Sequence, residues 1–227
     1  MLAKSRGGAF VIRVEDTDLE RNQIDAAVNQ MNDLKWLGMS WQEGPDVGGD
    51  YAPYHQSQRQ LIYKEYAEKL VKDKKAFYCF LTDAELEALH SHENRQLMSP
   101  HRDLSEQEVQ SRIEAGEAYV VRFRNDMGKK EYIFEDLIHG QTTLHADMVG
   151  DFVLIRSNGQ PVYNFCCVID DHLMNISHVL RGEEHLSNTL RQLMVYEALG
   201  FSVPSFGHLS MILGLSLIHI SEPTRPY

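Results

Sequence analysis

The sequence predicts an α/β fold in which a parallel sheet is interrupted by a small inserted α+β domain. Two apolar, β-rich runs, at residues 10–14 and 176–180, each end in charged residues and are followed by helical patterns. The region at residues 77–160 has a different character, with short strands and short capped helices. Strands that alternate with helices are typical of a parallel sheet, whereas the mixed short elements indicate a separate α+β unit.

The charged ends of the two strands mark the candidate site. Residues 15–18 (EDTD) follow the first strand, and residues 181–185 (RGEEH) follow the second. In open α/β sheets, small ligands bind in the crevice outside the carboxyl ends of the strands. We therefore expect the two clusters to form the walls of one site.

The composition is that of a folded protein with one large or two modest domains. Of the 227 residues, 43% are hydrophobic and 24% are charged, and this balance argues against disorder. The formal net charge of −11 has the wrong sign for a protein that coats nucleic acid over its whole surface. A local basic patch facing one phosphate backbone remains compatible with that charge.

Cysteine usage and hydropathy predict a cytoplasmic protein with no membrane association. The three cysteines include the adjacent pair Cys166 and Cys167, which cannot bridge each other without strain. A disulfide scaffold is therefore not expected, and a reducing compartment fits best. Lys4 and Arg6 are not followed by a long apolar stretch, so no secretory signal or membrane span is expected.

Residues 1–76 are interpreted as the first part of the core. Residues 10–14 predict a buried strand, and residues 44–53, rich in Gly, Pro and Asp, predict a loop. Ser57 with Gln60 matches a capping box that opens a helix. A preceding helix that ends at Gly38 is predicted from apolar residues at helical spacing, namely Ile24, Val28, Met31 and Leu34.

Residues 77–160 are interpreted as the inserted domain. Two further capping boxes predict short helices, and they pair Thr82 with Glu85 and Ser105 with Glu108. Strands are predicted at residues 119–124, 132–134 and 151–156, the last of them closed by a turn at 157–159.

Residues 161–214 are interpreted as the second part of the core. A strand is predicted at 176–180, and Ser187 is the expected N-cap of a helix that Gly200 ends. A further strand is predicted at 206–213.

Ordered motifs resemble those of bacterial glutamyl-tRNA synthetases. Residues 10–18 read FVIRVEDTD and are similar to the FVLRIEDTD segment of that family. Further matching segments are residues 151–156 (DFVLIR), 163–165 (YNF), 168–174 (VIDDHLM) and 178–189 (HVLRGEEHLSNT). The resemblance runs in order over residues 7–214, and several long motifs in the correct order are more specific than one short pattern.

The resemblance implies a class I aminoacyl-tRNA synthetase core, with a Rossmann-type parallel sheet and an insert that binds the tRNA acceptor end. The implied reaction is adenylation of the glutamate carboxylate by ATP, followed by transfer to the terminal ribose of tRNA(Glu). Such catalysis depends on positioning and on electrostatic stabilisation of phosphates, so no acid–base catalytic residue is expected. The implied partners are L-glutamate, ATP with Mg²⁺ and tRNA(Glu), and we expect a monomer.

The resemblance also assigns residues to roles. Arg181 is expected to grip the glutamate side-chain carboxylate with two hydrogen bonds, and Glu15 is expected to bind the ammonium group in the same cavity. The remaining assignments are Tyr163 and Cys167 for the amino acid, Glu184 and His185 for ATP, and Asp18, Arg21, Arg122 and Arg156 for tRNA.

Each assignment has a structural alternative. Asp18 can simply cap the next helix, Arg181 can pair with a structural carboxylate, and Tyr163 can be a packed core aromatic. The ordered match favours the functional roles most clearly for Glu15 and Arg181.

A zinc site, present in some relatives, is not expected here. Cys79 lacks the second cysteine of a Cys-x-Cys pair, because Phe80 and Leu81 follow it. Three histidines lie downstream without a recognised ligand spacing, namely His90, His92 and His101.

The motifs that bind ATP phosphates in class I enzymes, HIGH-like and KMSKS-like, are not found in the sequence. Residues 207–214 match the lead-in to the second, and residues 215–227 resemble read-through of a synthetic adapter, which predicts a poorly packed, non-native tail. The hypothesis is a synthetase fragment with negligible ATP–pyrophosphate exchange. The alternatives are a non-catalytic paralogue that binds tRNA or amino acid, and a glutaminyl-type or tRNA-modifying relative.

Overall fold

Three small sheets and four helices of 11 to 14 residues organise the part of the chain that the structure describes. This computed structural model describes residues 2–17, 26–82, 84–87, 98–126, 128 and 131–210. The helices are α1 (Leu2–Ser5), α2 (Ala26–Trp36), α3 (Gln60–Lys72), α4 (Glu106–Glu114), α5 (Tyr163–Leu173) and α6 (Leu186–Leu199). The strands are β1 (Ala76–Cys79), β2 (Val120–Phe123), β3 (Glu131–Asp136), β4 (Gly140–His145), β5 (Phe152–Ile155), β6 (His178–Gly182) and β7 (Ser205–Leu209).

Parallel and antiparallel strand pairs occur in different sheets, as the sequence predicts. Strands β6 and β7 pair in parallel, with Leu180 opposite Gly207, and α6 connects them, which makes a β–α–β unit. Strands β1, β2 and β5 form an antiparallel sheet, and β3 and β4 form a two-stranded antiparallel ladder. The predicted α/β class is confirmed.

Helix α5 lies at the centre of the hydrophobic core. Every residue from Phe165 to Asp171 is buried, and α5 packs against α6, whose Leu190, Met194 and Val195 are buried in the same cluster. The cluster also contains Val121 and Leu154 from the antiparallel sheet. One continuous core therefore connects residues on both sides of the predicted boundary at position 160.

Helix α5 and strand β4 were missed by the sequence interpretation. In α5 the polar residues Asp170 and Asp171 are buried together with the apolar ones, so polar positions in its sequence do not mark a side that faces solvent. Strand β4 was missed because its sequence, GQTTLH, is mostly polar, and Leu144 is its only buried residue.

The predicted strand at 10–14 is wrong in detail. Only two isolated parallel bridges form there, Val11 with Glu43 and Val14 with His55. Both partners belong to the irregular segment that contains the predicted loop, so no continuous ladder can develop.

The predicted capping box at Ser57 is also wrong. Ser57 uses its backbone N–H and its hydroxyl to bind the carboxylate of Asp16, at 2.8 and 2.7 Å. A short 3-10 helix, Gln56–Arg59, precedes α3 instead. Ser57 therefore binds the distant residue Asp16 instead of capping a helix, as its local spacing had predicted.

Later boundaries are partly confirmed. Ser105 and Glu108 form a complete capping box, and Gly200 ends α6 in the left-handed region at φ 69°. Ser187 is not an N-cap, because α6 begins at Leu186 directly after a 3-10 helix, Glu183–His185.

The last predicted strand is confirmed in part, since β7 ends at Leu209 and residues 211–214 lie outside the described part. The predicted tail at 215–227 also lies outside it. In the described ranges, no helix is long and apolar enough to cross a bilayer.

Candidate functional site around Tyr163

The first turn of α5 places Tyr163 and Cys167 on one face of the helix, because they are four residues apart. The Cys167 thiol donates to Oε1 of Glu15 at 3.2 Å. The Arg181 guanidinium and the Glu15 carboxylate both lie within electrostatic reach of the Tyr163 hydroxyl. A carboxylate and a guanidinium from distant parts of the chain therefore flank one face of α5.

The two predicted ATP residues lie at the same end of the site. The ring centroid of His185 is 5.8 Å from that of Tyr163, and its Nε2 lies 3.8 Å from Oε1 of Glu184. The Glu184 carboxylate folds back over Gly182, in space that a β-carbon at position 182 would occupy. The structure thus brings together the predicted amino-acid and ATP residues, although their roles stay predictions.

The electrostatics of the site keep its two α5 side chains protonated. Burial first, and then the neighbouring Cys167 and Glu15, raise the pKa of Tyr163 above its usual range, against the opposing effect of Arg181. Burial and the Glu15 carboxylate raise the pKa of the Cys167 thiol. Both groups therefore act as hydrogen-bond donors, and Cys167 is not suited to be a nucleophile.

Arg13, which the sequence interpretation did not single out, holds Glu15 in place. Its Nη2 donates to Oε1 of Glu15 at 3.3 Å, while its Nη1 donates to Oδ1 of Asp171 at 2.8 Å. The Tyr196 hydroxyl donates to the other oxygen of Asp171 at 3.2 Å. Burial raises the pKa of Asp171, and the Arg13 charge opposes that rise.

A second buried carboxylate, Asp170, ties α5 to the segment before α3. Its Oδ2 accepts from Gln56 and Tyr63, at 2.9 and 2.8 Å, and its Oδ1 accepts from Nε of Arg59 at 2.7 Å. Nε of Arg13 lies 3.6 Å away. The adjacent pair Asp170 and Asp171 therefore fixes the N-terminal segment that carries Glu15.

Arg181 is held from the side opposite to the site. Its Nε donates to Nε2 of His208 at 3.3 Å, and its Nη2 donates to the Thr189 hydroxyl at 2.6 Å. Nδ1 of His208 lies 2.5 Å from Oδ2 of Asp136, at the end of β3. Thr189 lies in the same matched segment as Arg181, residues 178–189, but no sequence pattern linked Asp136 or His208 to Arg181.

Asp136 should make the stability of the protein sensitive to acid. Burial acts to raise the pKa of Asp136, but hydrogen bonds from His208 and from the amides of His139 and Ile138 lower it to about 2. Since the pKa in the unfolded chain is about 3.9, the stabilisation is fully present above pH 4 and is lost as the pH falls towards 2. We expect this contribution to be about 2 kcal/mol.

The measurement is urea unfolding of the parent protein and of Asp136→Asn at pH 5 and at pH 2.5. The difference in unfolding free energy between the two proteins should shrink at the lower pH, because other carboxylates contribute equally to both. A difference that stays constant would contradict the assignment.

The predicted tRNA residues are dispersed. Arg156 is exposed beside the turn at 157–159. Arg122 is buried at 6% exposure, and its Nη1 donates to the Asp151 carbonyl at 3.1 Å, so a phosphate contact would require it to leave that partner. Asp18 and Arg21 lie outside the described residues.

The insert has no evident metal centre in the ranges that the structure describes. Cys79 is buried, with its sulfur 3.4 Å from the Ser99 hydroxyl. Nδ1 of His101 accepts from the amide of Phe80 at 3.1 Å. No group of three or more potential ligands occurs among the described residues, and His90 and His92 lie outside them.

Known proteins are similar to this chain over most of its length. The glutamate–tRNA ligase of Bdellovibrio bacteriovorus is 47% identical over 220 residues, which are 94% of this chain and 45% of that protein. The Bacillus subtilis glutamate–tRNA ligase is 43% identical over 227 residues, covering 98% of this chain and 47% of the relative. A crystal structure of a glutamate tRNA ligase from Elizabethkingia meningosepticum, in complex with its amino acid, superposes with a TM-score of 0.86 at 36% identity. That superposition covers 93% of this chain and 44% of the solved one.

The chain spans slightly less than half the length of these curated relatives, all of which are enzymes by name. The family model for "tRNA synthetases class I (E and Q), catalytic domain" matches residues 1–222. Together with the fold and the cluster around Tyr163, this match shows that the protein belongs to the class I tRNA synthetase (E and Q) catalytic-domain family.

Proposed function

We propose that this chain carries the glutamate site of an ATP-dependent glutamate–tRNA ligase. Glu15 would bind the substrate ammonium group, Arg181 would bind its side-chain carboxylate, and Tyr163 would donate a hydrogen bond between them. The support is the identity of 43–47% to proteins named glutamate–tRNA ligase and the charge pattern at the first turn of α5.

The observation that carries the proposal is the separation of opposite charges along α5. Glu15 accepts a hydrogen bond from Cys167, and Arg181 acts electrostatically on Tyr163, one helical turn earlier. Residues four apart on a helix lie about 5–6 Å from each other. The ammonium nitrogen and the side-chain carboxylate carbon of extended glutamate are separated by about 5 Å, four bonds of roughly 1.5 Å each. The spacing of the two helix positions is therefore similar to the spacing of the two charged ends of a glutamate zwitterion.

The chemistry of such a site is positioning. A carboxylate oxygen of the bound amino acid would attack the α-phosphorus of ATP and release pyrophosphate, and a terminal ribose hydroxyl of tRNA would then displace AMP. Neither step needs a nucleophile or a general base from the protein if the reactants are held in line. The two protonated donors on α5, Tyr163 and Cys167, suit binding in this way.

The remaining roles belong to the same proposal. Glu184 and His185 would contact the ribose and adenine of ATP, whose phosphates would carry Mg²⁺. Arg156 would contact a tRNA phosphate, and Asp18, Arg21 and Arg122 stay predicted tRNA residues. Tyr163 beside His185 supports an arrangement in which the amino acid and the nucleotide are neighbours.

Glutamate binding by the full chain tests the proposal without requiring turnover. In isothermal titration calorimetry, Arg181→Ala should weaken L-glutamate binding about 10- to 100-fold, because a hydrogen-bonded charge contributes about 1.5–3 kcal/mol. Glu15→Gln should weaken it in the same direction. The control is Arg6→Ala, an exposed arginine outside the site. Equal affinities for the parent protein and Arg181→Ala would refute the glutamate site.

A glutamine-specific enzyme is the second candidate, because the family model spans both the E and the Q enzymes. A planar cation at position 181 favours a carboxylate over a neutral amide. Titration with L-glutamine under the same conditions separates the two functions, since a glutamate site should bind glutamine more weakly. Tighter glutamine binding would identify the glutamine-type relative.

A further inference from the structure

We propose that His208, supported by Asp136, is a positioning residue that orients the Arg181 guanidinium towards the side-chain carboxylate of the amino acid. The proposal rests on the function proposed above and adds two residues outside the predicted site. Asp136 lies at the end of β3, within the predicted insert, and His208 lies on β7. The inserted domain would therefore act on amino-acid recognition as well as on tRNA.

The contacts form a continuous buried path. Nδ1 of His208 meets Oδ2 of Asp136 at 2.5 Å, and Nε2 of His208 meets Nε of Arg181 at 3.3 Å. The Thr189 hydroxyl lies 2.9 Å from the same Nε2 and accepts from Nη2 of Arg181 at 2.6 Å. His208 has 0% exposure, so water does not compete for its two ring nitrogens.

Donor and acceptor accounting assigns the proton on His208. Nε of Arg181 can only donate, so Nε2 of His208 must accept and its proton must be on Nδ1. That proton points at the Asp136 carboxylate, which can only accept when ionised. Asp136 thus selects the one neutral tautomer that offers Arg181 an acceptor.

The same contacts decide which edge of the guanidinium faces the site. Nε and one hydrogen of Nη2 are directed towards His208 and Thr189. The carbon of the guanidinium lies 5.1 Å from the ring centroid of Phe206, which restricts its plane. The edge formed by Nη1 and the second hydrogen of Nη2 is left for a carboxylate, as a two-bond contact requires.

The hydrogen bonds to the other carboxylate oxygen of Asp136 make it possible to test the His208 tautomer with one substitution. Oδ1 accepts from the backbone amides of Ile138, His139 and His208, at 2.9, 3.1 and 3.3 Å. In Asp136→Asn the amide oxygen must stay on this side, because three N–H groups point at it. The amide nitrogen then donates to Nδ1 of His208 and moves the ring proton to Nε2, where it opposes the N–H of Arg181.

The first measurement is nitrogen NMR of the His208 ring in the full chain, without ligand. We expect the proton on Nδ1 in the parent protein and on Nε2 in Asp136→Asn. The Nε–H resonance of Arg181 should shift in the same variant. A proton on Nε2 in the parent protein would overturn the proposal.

The second measurement is L-glutamate affinity by calorimetry. Asp136→Asn should weaken binding about tenfold, the value of one hydrogen bond to a charged group, and should have almost no further effect when Arg181→Ala is already present. His208→Gln, which keeps an acceptor near the position of Nε2, should retain affinity within about threefold, well short of the tenfold loss expected for one such bond. The matched control is Asp126→Asn, a solvent-exposed aspartate.

The outcomes separate this proposal from the proposed function. An equal loss in the parent and Arg181→Ala backgrounds, or an unchanged affinity of Asp136→Asn, would overturn the positioning role. If Arg181→Ala itself leaves glutamate binding unchanged, the proposed function fails, and the positioning role towards the substrate fails with it. In that case the NMR spectra should still show the change of His208 tautomer in Asp136→Asn, because the His208–Arg181 contact is present without glutamate.

Discussion

Replacing Asp170 with alanine is expected to lower the free energy of unfolding by about 3–5 kcal/mol. Asp170 is fully buried and accepts hydrogen bonds from Gln56, Arg59 and Tyr63. Arg59 is itself only 4% exposed, so without Asp170 its charge would remain buried with no carboxylate contact among the described residues. Breaking a buried pair by removing one partner costs more than the pair contributes, because an uncompensated charge is left behind.

Urea unfolding followed by the fluorescence of the buried Trp41 measures this loss. Asp126→Ala is the matched control, since this aspartate is 54% exposed and pairs with Lys75 only at the surface; we expect its change to stay within about 0.5 kcal/mol. A similar small change for Asp170→Ala would show that the network is not needed for stability. The variant should also weaken glutamate binding, because Arg13 connects this network to Glu15.

Replacing Phe165 with alanine is expected to cost about 3–5 kcal/mol of unfolding free energy. Phe165 has 0% exposure and lies on α5 within the continuous core. Its removal loses the transfer free energy of the ring and leaves a cavity that the surrounding helices can only partly close. The destabilisation should affect both predicted core segments, residues 1–76 and 161–214, because the buried hydrophobic cluster contains residues of both.

The same unfolding measurement tests Phe165→Ala against two comparisons. Phe10→Ala, at a position 36% exposed, should cost less than about 1 kcal/mol. Phe165→Leu should fall between the two, since it restores most of the lost volume. Equal costs at positions 10 and 165 would contradict the central position of α5 in the core.

Local patterns predicted the elements whose signals lie within a few residues. The capping box at Ser105 and the end of α6 at Gly200 are of this kind, because a cap or a left-handed glycine is a property of one helix end. Helix α5 was not predicted, since its polar residues Asp170 and Asp171 are buried together with its apolar ones and do not mark a solvent-facing side. The capping box at Ser57 failed because Asp16, far away in the chain, binds that serine.

The residues of the candidate site also fall into two groups, those predicted from the sequence and those found only in the structure. The residues assigned by ordered motifs, Glu15, Tyr163, Cys167, Arg181 and His185, come together around the first turn of α5. The groups that hold them, Arg13, Asp171, His208 and Asp136, were not singled out from the sequence, although all except Asp136 lie within the matched segments.

The amino-acid sequence was sufficient for the family and the α/β class, because both are recorded in contiguous motifs. Folding alone established that Asp136 and His208 stand behind Arg181 and that Asp170 and Asp171 secure the segment carrying Glu15. These contacts join residues up to 158 positions apart. Their geometry depends on the packing of α5 and β7, and no short window of sequence contains that packing.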